Sequence, residues 1–230
     1  MGQIVLPGNP PVPITLRSSR RARRLSLRVS ALDGRITLTR PEGISEREAV
    51  SFARDKEAWL RGHLSRRRAA VRIAPGTELP FRGHTVCIAQ GAARAPRIDD
   101  GTFLIPGPTE SMGRRALGFL RHCARDTLAR SADHYAAALG MPYTRITLRD
   151  PRSRWGSCTS NGGLMFSWRL IMAPDNVLNY VAAHEVAHLA EMNHSRAFWS
   201  VVDRLYGDSS APRRWLRHHG VDLHLYRFED

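Results

Sequence analysis

The H-E-x-x-H segment at residues 184–188 constrains the fold of this chain more than any other stretch. On an α-helix, residues four apart lie on one face, so His184 and His188 can direct two imidazoles at one metal ion. Glu185 lies further round the helix, where its carboxylate can reach a water molecule that the metal activates. With a third ligand, this is the donor set of a typical zinc hydrolase, so the segment predicts a helix that carries a zinc site.

The residues around this segment support a helix in a protein interior. Asp175 follows Pro174 and belongs to a residue type that is favoured as a helix N-cap. Apolar side chains then recur at helical spacing: Val177, Leu178, Val181, Ala182, Val186, Ala187, Leu189 and Ala190. We therefore expect a largely buried helix that begins at Asp175 and sets two polar ligands in an apolar wall.

Two residues could supply the third metal ligand. Glu191 is seven residues after His184 and would share its helical face. His194 is ten residues after His184, beyond the expected helix end, and Asn193 can adopt the left-handed conformation that turns a chain. We favour His194 as the ligand and the Glu191 side chain as a hydrogen-bond partner of a ligating imidazole. The alternatives for Glu191 are a direct metal ligand or a solvated acid at the helix end.

Arginine supplies nearly all the positive charge of the 230-residue chain, whose formal net charge is +14. Six arginines lie from Arg17 to Arg28, and Arg66, Arg67 and Arg68 follow. On a strand, alternate residues face opposite sides, so we expect about half of the first group to be exposed. Such a surface predicts weak, sequence-independent nucleic-acid binding. The alternative is a solvated basic surface, which the scarcity of lysine favours in part.

The cysteines and the hydropathy pattern bear on the compartment. Cys87, Cys123 and Cys158 are odd in number, scattered and outside any C-x-x-C pair, which fits a reducing environment. No apolar run approaches the length of a membrane span, and the N-terminus lacks the pattern of a signal peptide. We therefore expect a cytoplasmic protein without a membrane segment.

The first half of the chain reads as mostly β-structure. Proline and glycine over residues 1–13 predict a disordered lead. Alternating runs on both sides of Asp33-Gly34 predict a hairpin, and a capping box at Ser45 begins a helix expected to extend to about residue 68. Short strands are expected near residues 81–90 and 102–106. Residues 14–108 are thus predicted to form a β-rich N-terminal subdomain with one helix.

The second half, residues 109–230, has more helical patterns. A long helix is predicted from about 111 to 139, with Gly140 as its C-terminal stop. Strands are expected at 144–149 and 164–169, the second leading directly into the metal helix. Shorter helices are expected to begin at Ser195 and Ser210. The whole chain is therefore predicted to be an α+β protein.

Several motifs occur together in a recognisable order. They are RSRWGSC at 152–158, Trp168-Arg169, HEVAHLAEMNH at 184–194 and Phe198-Trp199, preceded by RRARRLSLRV and KEAWLRGHL in the first half. The combination resembles the YgjP-like metal-dependent hydrolase family, which is related to the SprT and WLM zincin peptidases. The resemblance covers roughly residues 15–220.

The resemblance implies a minimal zincin domain over residues 109–230, with a long helix, a small antiparallel sheet and the metal helix. It implies that His184, His188 and His194 hold Zn²⁺ and that Glu185 is the general base. The RSRWGSC loop suggests Arg154 as a further catalytic residue, because its guanidinium could stabilise an oxyanion. The alternative is that Arg152 and Arg154 form salt bridges while Trp155 packs under the metal helix.

The leading hypothesis is a zinc-dependent hydrolase, specifically a metallopeptidase that cleaves a peptide or protein substrate. The strand at 164–169 is expected to bind that substrate by edge pairing. The alternative is a nucleic-acid-binding module whose metal site is structural or vestigial. A fourth protein ligand would favour this alternative, because catalytic zinc sites keep one position open.

Overall fold

The structure is a computed structural model that describes residues 2–30, 32–65 and 68–229. The chain divides into two compact units, Met1–Ala69 and Ala70–Asp230. The described residues contain six α-helices and several small sheets, so the expected α+β class is confirmed. None of the described helices is both long and apolar enough to span a membrane.

The first unit contains a four-stranded mixed sheet. Its strands are β1 (Gly2–Leu6), β2 (Val12–Ser18), β3 (Ser26–Val29) and β4 (Ile36–Arg40), in the order β1-β2-β4-β3. The predicted hairpin is present, because β3 and β4 pair antiparallel around Gly34, whose φ is 70°. The lead over residues 1–13, expected to be disordered, instead contains β1 and the start of β2, which pair antiparallel and bury Leu6 and Val12.

Two helices follow where one was predicted. α1 (Glu46–Asp55) and α2 (Glu57–Ser65) are separated at Lys56, whereas a single helix to about residue 68 was expected. The predicted capping box is present: Ser45 Oγ accepts from the Glu48 N–H at 3.2 Å, and Glu48 Oε2 accepts from the Ser45 N–H at 2.9 Å. Arg66 and Arg67, predicted at the helix end, lie outside the described residues.

The second unit begins earlier than the expected boundary at residue 108. It includes the strands β5 (Val71–Arg72), β6 (Glu78–Phe81), β7 (His84–Gly91), β8 (Arg97–Asp99) and β9 (Thr102–Pro106). Their buried side chains, among them Leu79, Ile88 and Phe103, belong to the same core as the long helix α3 (Met112–Leu139). Phe103 also packs against Phe119 of α3, with ring centroids 4.9 Å apart. Shared burial therefore assigns residues 70–108 to the second unit.

The helices of the second unit follow the predicted order. α3 ends before Gly140, whose φ of 75° matches the predicted stop. It packs on α4 (Asp175–Ala187), and Ser131 Oγ donates to Asn179 Oδ1 at 2.9 Å. α5 (Arg196–Tyr206) and α6 (Ser210–His219) follow α4, and a short strand, β13 (Tyr226–Arg227), pairs parallel with β5.

The sheet beside α4 differs from the expected antiparallel one. Its strands are β10 (Arg145–Arg149), β11 (Gly156–Cys158) and β12 (Gly163–Ser167), with β12 in the centre, parallel to β10 and antiparallel to β11. The strand predicted over 164–169 ends at Ser167, and a 3₁₀ turn at Trp168–Met172 separates it from α4. Because β12 is paired on both sides, it cannot bind a substrate by edge pairing, and β11 is the edge strand nearest α4.

Candidate metal centre

α4 is shorter than predicted at its C-terminal end. Pro174 is its N-cap, and Asp175, expected in that role, is its first residue and accepts two hydrogen bonds of 2.8 Å from the Arg82 guanidinium. The regular helix ends at Ala187, after which Leu189 N donates to Val186 O in a tighter turn. The helix therefore ends just before His188, and Glu191 no longer shares a helical face with His184.

The fold brings His184, His188 and His194 together. Their nearest ring nitrogens all lie within 4.8 Å of one another, and His184 Nε2 is 3.1 Å from His194 Nε2. The chain returns toward α4 without a left-handed Asn193, since only Arg82 and Asp100 have positive φ among the described non-glycine residues. Instead Asn193 Oδ1 accepts from the Ser195 N–H at 3.0 Å, directly before α5.

A hydrogen bond at the far ring nitrogen leaves Nε2 of His188 free, and His184 Nδ1 also has a polar neighbour. His188 Nδ1 donates to the backbone oxygen of Glu191 at 2.9 Å, and Tyr180 Oη lies 3.4 Å from His184 Nδ1. In a neutral imidazole, an Nδ1–H donor implies an Nε2 lone pair that can bind a metal. Glu191 thus contacts His188 through its main chain and not, as expected, through its side chain, and its carboxylate is not in the histidine group.

Burial favours the neutral imidazole in two of these histidines, His184 and His188. Burial and then the charges of His188, His194 and Arg213 lower the pKa of His184 to about 4. Burial also lowers the pKa of His188. Phe198 of α5 is fully buried and contacts all three rings, with centroid distances of 4.9, 4.4 and 4.8 Å to His184, His188 and His194. Three imidazole nitrogen donors on an aromatic floor fit a Zn²⁺ ion.

Glu185 lies in a cavity beside the three histidines. The cavity has a volume of about 410 Å³. Its lining comprises the three histidines, Glu185, Arg154, Trp155, Gly156, Ser157, Cys158, Tyr180, Val181, Met192 and Leu216. Glu185 is only 6% exposed, and this burial raises its pKa to about 8, while the Arg154 charge acts in the opposite direction. A buried carboxyl group whose pKa lies near neutral pH can both accept and donate a proton at the cavity wall.

The RSRWGSC loop supplies one wall of this cavity. Arg154 is exposed, lines the cavity and forms no ion pair with any described residue. Trp155 packs against His224, with ring centroids 5.5 Å apart, and against Gly220, where a Cβ atom would lie 2.8 Å from the indole. The tryptophan thus packs against the core of the second unit, as the packing alternative expected, and it also contacts the C-terminal 3₁₀ turn and lines the cavity.

An ion pair that the sequence analysis missed holds the start of this loop. Arg169 is 6% exposed, and its guanidinium donates to both carboxylate oxygens of Asp150 at 2.7 and 3.0 Å. It also donates to the backbone oxygens of Leu223 and Tyr226 at 2.7 and 3.3 Å. The pair therefore ties the loop to the C-terminal segment. An arginine directly after an apolar strand was the available signal, because a buried charge requires a partner.

A family model and a solved structure resemble parts of this chain. The family model described as the YgjP-like metallopeptidase domain matches residues 23–219. Among solved structures, the metallopeptidase zymogen of Pyrococcus abyssi abylysin is similar at 18% identity and a TM-score of 0.36, over 40% of this chain and 92% of that chain. No curated protein matches significantly. Since the family model spans most of the sequence, including all three histidines, the chain belongs to the family of YgjP-like metallopeptidase domains.

Proposed function

We propose that the chain is a zinc-dependent metallopeptidase in which His184, His188 and His194 hold the metal and Glu185 is the general base. The observation that carries the proposal is the convergence of three imidazoles beside a buried carboxyl group in an open cavity. Among the described residues, no fourth His, Cys, Asp or Glu joins the group. Three protein ligands are typical of catalytic zinc, whereas structural zinc has four. This argues against a purely structural site.

The proposed chemistry divides between the metal and the side chains. Bound zinc would supply Lewis-acid catalysis and activate water near neutral pH. Glu185 accepts a proton from the attacking water and delivers it to the leaving nitrogen. Its burial limits the contact of the carboxyl group with water. Arg154, on the cavity wall, stabilises the negative charge that develops on the carbonyl oxygen.

The edge strand β11 is the proposed docking site for an extended peptide. Ser167 N donates to Trp155 O at 2.8 Å, and Thr159 N donates to Gly163 O at 2.9 Å, so these residues direct main-chain groups toward β12. Along an antiparallel strand, successive residues direct their main-chain groups to opposite sides. The N–H and C=O groups of Gly156 and Cys158 therefore point to the open edge. A substrate strand paired there would lie along the cavity, beside Glu185.

Metal analysis together with a peptide-library digest tests this function. We expect about one zinc ion per purified chain, and peptide cleavage that chelation abolishes and added zinc restores. Zinc-loaded protein that cleaves no peptide in a diverse library would contradict the peptidase proposal. Zinc-free protein with undiminished cleavage would contradict the metal proposal.

We also propose weak nucleic-acid binding by the first unit, from one specific observation. The arginine segment, defined as Arg17, Arg20, Arg21, Arg23, Arg24 and Arg28, is exposed at all six positions. About half were expected to be exposed, but residues 20–24 lie in the connection between β2 and β3 and not on a strand. Arg20 pairs with Glu42 at 3.1 Å, and the other five form no ion pair with a described residue. Unpaired arginines in one short segment favour phosphate contacts.

A further inference from the structure

Helix α6 borders the cavity and carries a cation next to it. Leu216 lines the cavity, and Arg213 lies three residues earlier, on the same helical face. The Arg213 guanidinium stacks over the Trp199 ring at 4.6 Å from its centroid. The Trp199 ring in turn lies 5.8 Å from the His184 ring and 6.0 Å from the His194 ring. Stacking on Trp199 therefore holds the Arg213 cation near the three histidines.

The charges around this cavity are unbalanced. Neither Arg213 nor Arg154 has a carboxylate within ion-pair distance among the described residues. Of the described residues that line the cavity, Glu185 alone is acidic, and it is buried. One exposed guanidinium group, that of Arg154, thus lines the site, and a second, that of Arg213 on α6, lies beside it. An arginine fork binds a carboxylate through two parallel hydrogen bonds, which suits it to recognise this group in a substrate.

We propose that Arg213 selects peptides that carry a carboxylate next to the scissile bond. This inference rests on the proposed peptidase function and assigns its substrate class. The carboxylate comes from an acidic side chain or from the C-terminus of the peptide, and both present the same group to the guanidinium. Arg213 is a specificity residue in this proposal, and its charge also disfavours basic side chains at the same position.

Quenched fluorogenic peptides test the proposal on zinc-loaded protein. The set varies one position at a time among Glu, Gln and Lys, and each peptide is made with a free or an amidated C-terminus. We expect wild-type kcat/KM to favour carboxylate-bearing peptides roughly tenfold and to lose this preference in high salt. If the preference for Glu persists in amidated peptides, the recognised carboxylate is that of the acidic side chain. If amidation removes the preference, the recognised carboxylate is that of the peptide C-terminus.

Variants of α6 separate recognition from folding. Arg213→Gln should remove the preference, and Arg213→Glu should reverse it toward Lys peptides, which loss of structure alone would not do. Arg214→Gln, at the adjacent exposed position, is the matched control and should keep the wild-type preference. Cleavage without charge preference, or a preference that Arg213→Gln leaves unchanged, would overturn the inference.

A binding measurement distinguishes failure of this inference from failure of the proposed function. The same labelled peptides are titrated into zinc-loaded Glu185→Gln protein and followed by fluorescence anisotropy. Suppose that the wild-type protein cleaves no peptide, but that carboxylate peptides bind selectively and Arg213→Gln abolishes this selectivity. The peptidase proposal then fails and the recognition stands. Binding that ignores charge, or no binding of any peptide, overturns the recognition.

Discussion

Gly156 and Glu185 lie in direct contact: a Cβ atom on residue 156 would lie 2.5 Å from both Cγ and Oε1 of Glu185. Gly156 does not have a positive φ, so the backbone conformation does not require glycine here. Glycine is required by the lack of space, because β11 passes over α4 with no room for a side chain. This close approach fixes the distance between the edge strand and the proposed general base.

Replacement of Gly156 by alanine should therefore displace the Glu185 carboxylate. We expect kcat/KM to fall roughly 10- to 100-fold, since a shift of about 1 Å in a catalytic group can cost that much. Zinc content, measured by mass spectrometry, should stay close to wild type. Gly118→Ala is the control, because no atom lies within 4 Å of a Cβ at this helical position of α3. An equal loss in both variants would contradict the steric argument.

Glu185→Gln should retain zinc and fold but lose activity. General-base catalysis contributes at least about two orders of magnitude, so turnover on any peptide that the wild type cleaves should fall by that factor or more. Steady-state kinetics on metal-loaded protein measure the effect, and circular dichroism checks the fold. Wild-type turnover in this variant would show that another group is the base.

The proposed third ligand can be tested by comparing two alanine variants. His194→Ala should weaken zinc affinity by tenfold or more, since a lost ligand costs at least as much as a lost hydrogen-bond partner of a ligand. Glu191→Ala should bind zinc almost as tightly as wild type, because Glu191 contacts His188 through its main-chain oxygen. Competition with a chromogenic chelator measures both affinities. The reverse order would make Glu191 the ligand.

Apart from the three histidines, His224 should also make the stability of the protein depend on pH. Its side chain is 10% exposed, and burial followed by the Arg169 charge lowers its pKa to about 4. In the unfolded chain the pKa is about 6.5, so the unfolded state binds more protons between these values and stability falls as pH falls through this range. The cost between pH 7 and pH 5 is roughly 2 kcal/mol.

Urea unfolding of wild type and His224→Asn at pH 7 and pH 5 measures this contribution. The variant cannot gain the proton, so its free energy of unfolding should fall less than that of wild type over the same interval. Comparing the change with pH, and not the absolute stability, removes the constant effect of the lost contact with Trp155. Equal losses in the two proteins would assign the pH dependence to other groups.

Features with local causes could be predicted from the sequence. The Ser45 capping box, the Gly140 stop and the start of α5 at Ser195 each depend on residues within one or two helical turns. The helix that carries the H-E-x-x-H segment, and the approach of His194 to it, also follow from spacing within about ten residues. The family and the α+β class were therefore predictable from motifs and local patterns.

Features that depend on distant contacts could not be predicted in the same way. The position of β12 between β10 and β11 depends on which strands meet in space, and no local pattern specifies it. The Asp150–Arg169 pair joins residues 19 apart, and Phe198 contacts three histidines from another helix. The boundary between the units was misplaced because the strands β5 to β9 share their core with α3, which their own alternation does not reveal.

The arginine segment should bind nucleic acid in a salt-dependent way, because five of its six guanidinium groups have no ion-pair partner among the described residues. Each phosphate that it neutralises should contribute a slope of about −0.9 to the dependence of log K on log salt concentration, so the slope on duplex DNA should not exceed about −4.5 in magnitude. Fluorescence anisotropy with a labelled duplex at several salt concentrations measures it. We expect micromolar binding at low salt that fades toward physiological salt, because so few contacts support only the non-specific mode.

Arg21→Gln combined with Arg23→Gln should reduce the slope by about 2, whereas the same changes at Arg125 and Arg130 on α3 should not. Binding that ignores salt, or none at low salt, would show that the segment is only a solvated surface.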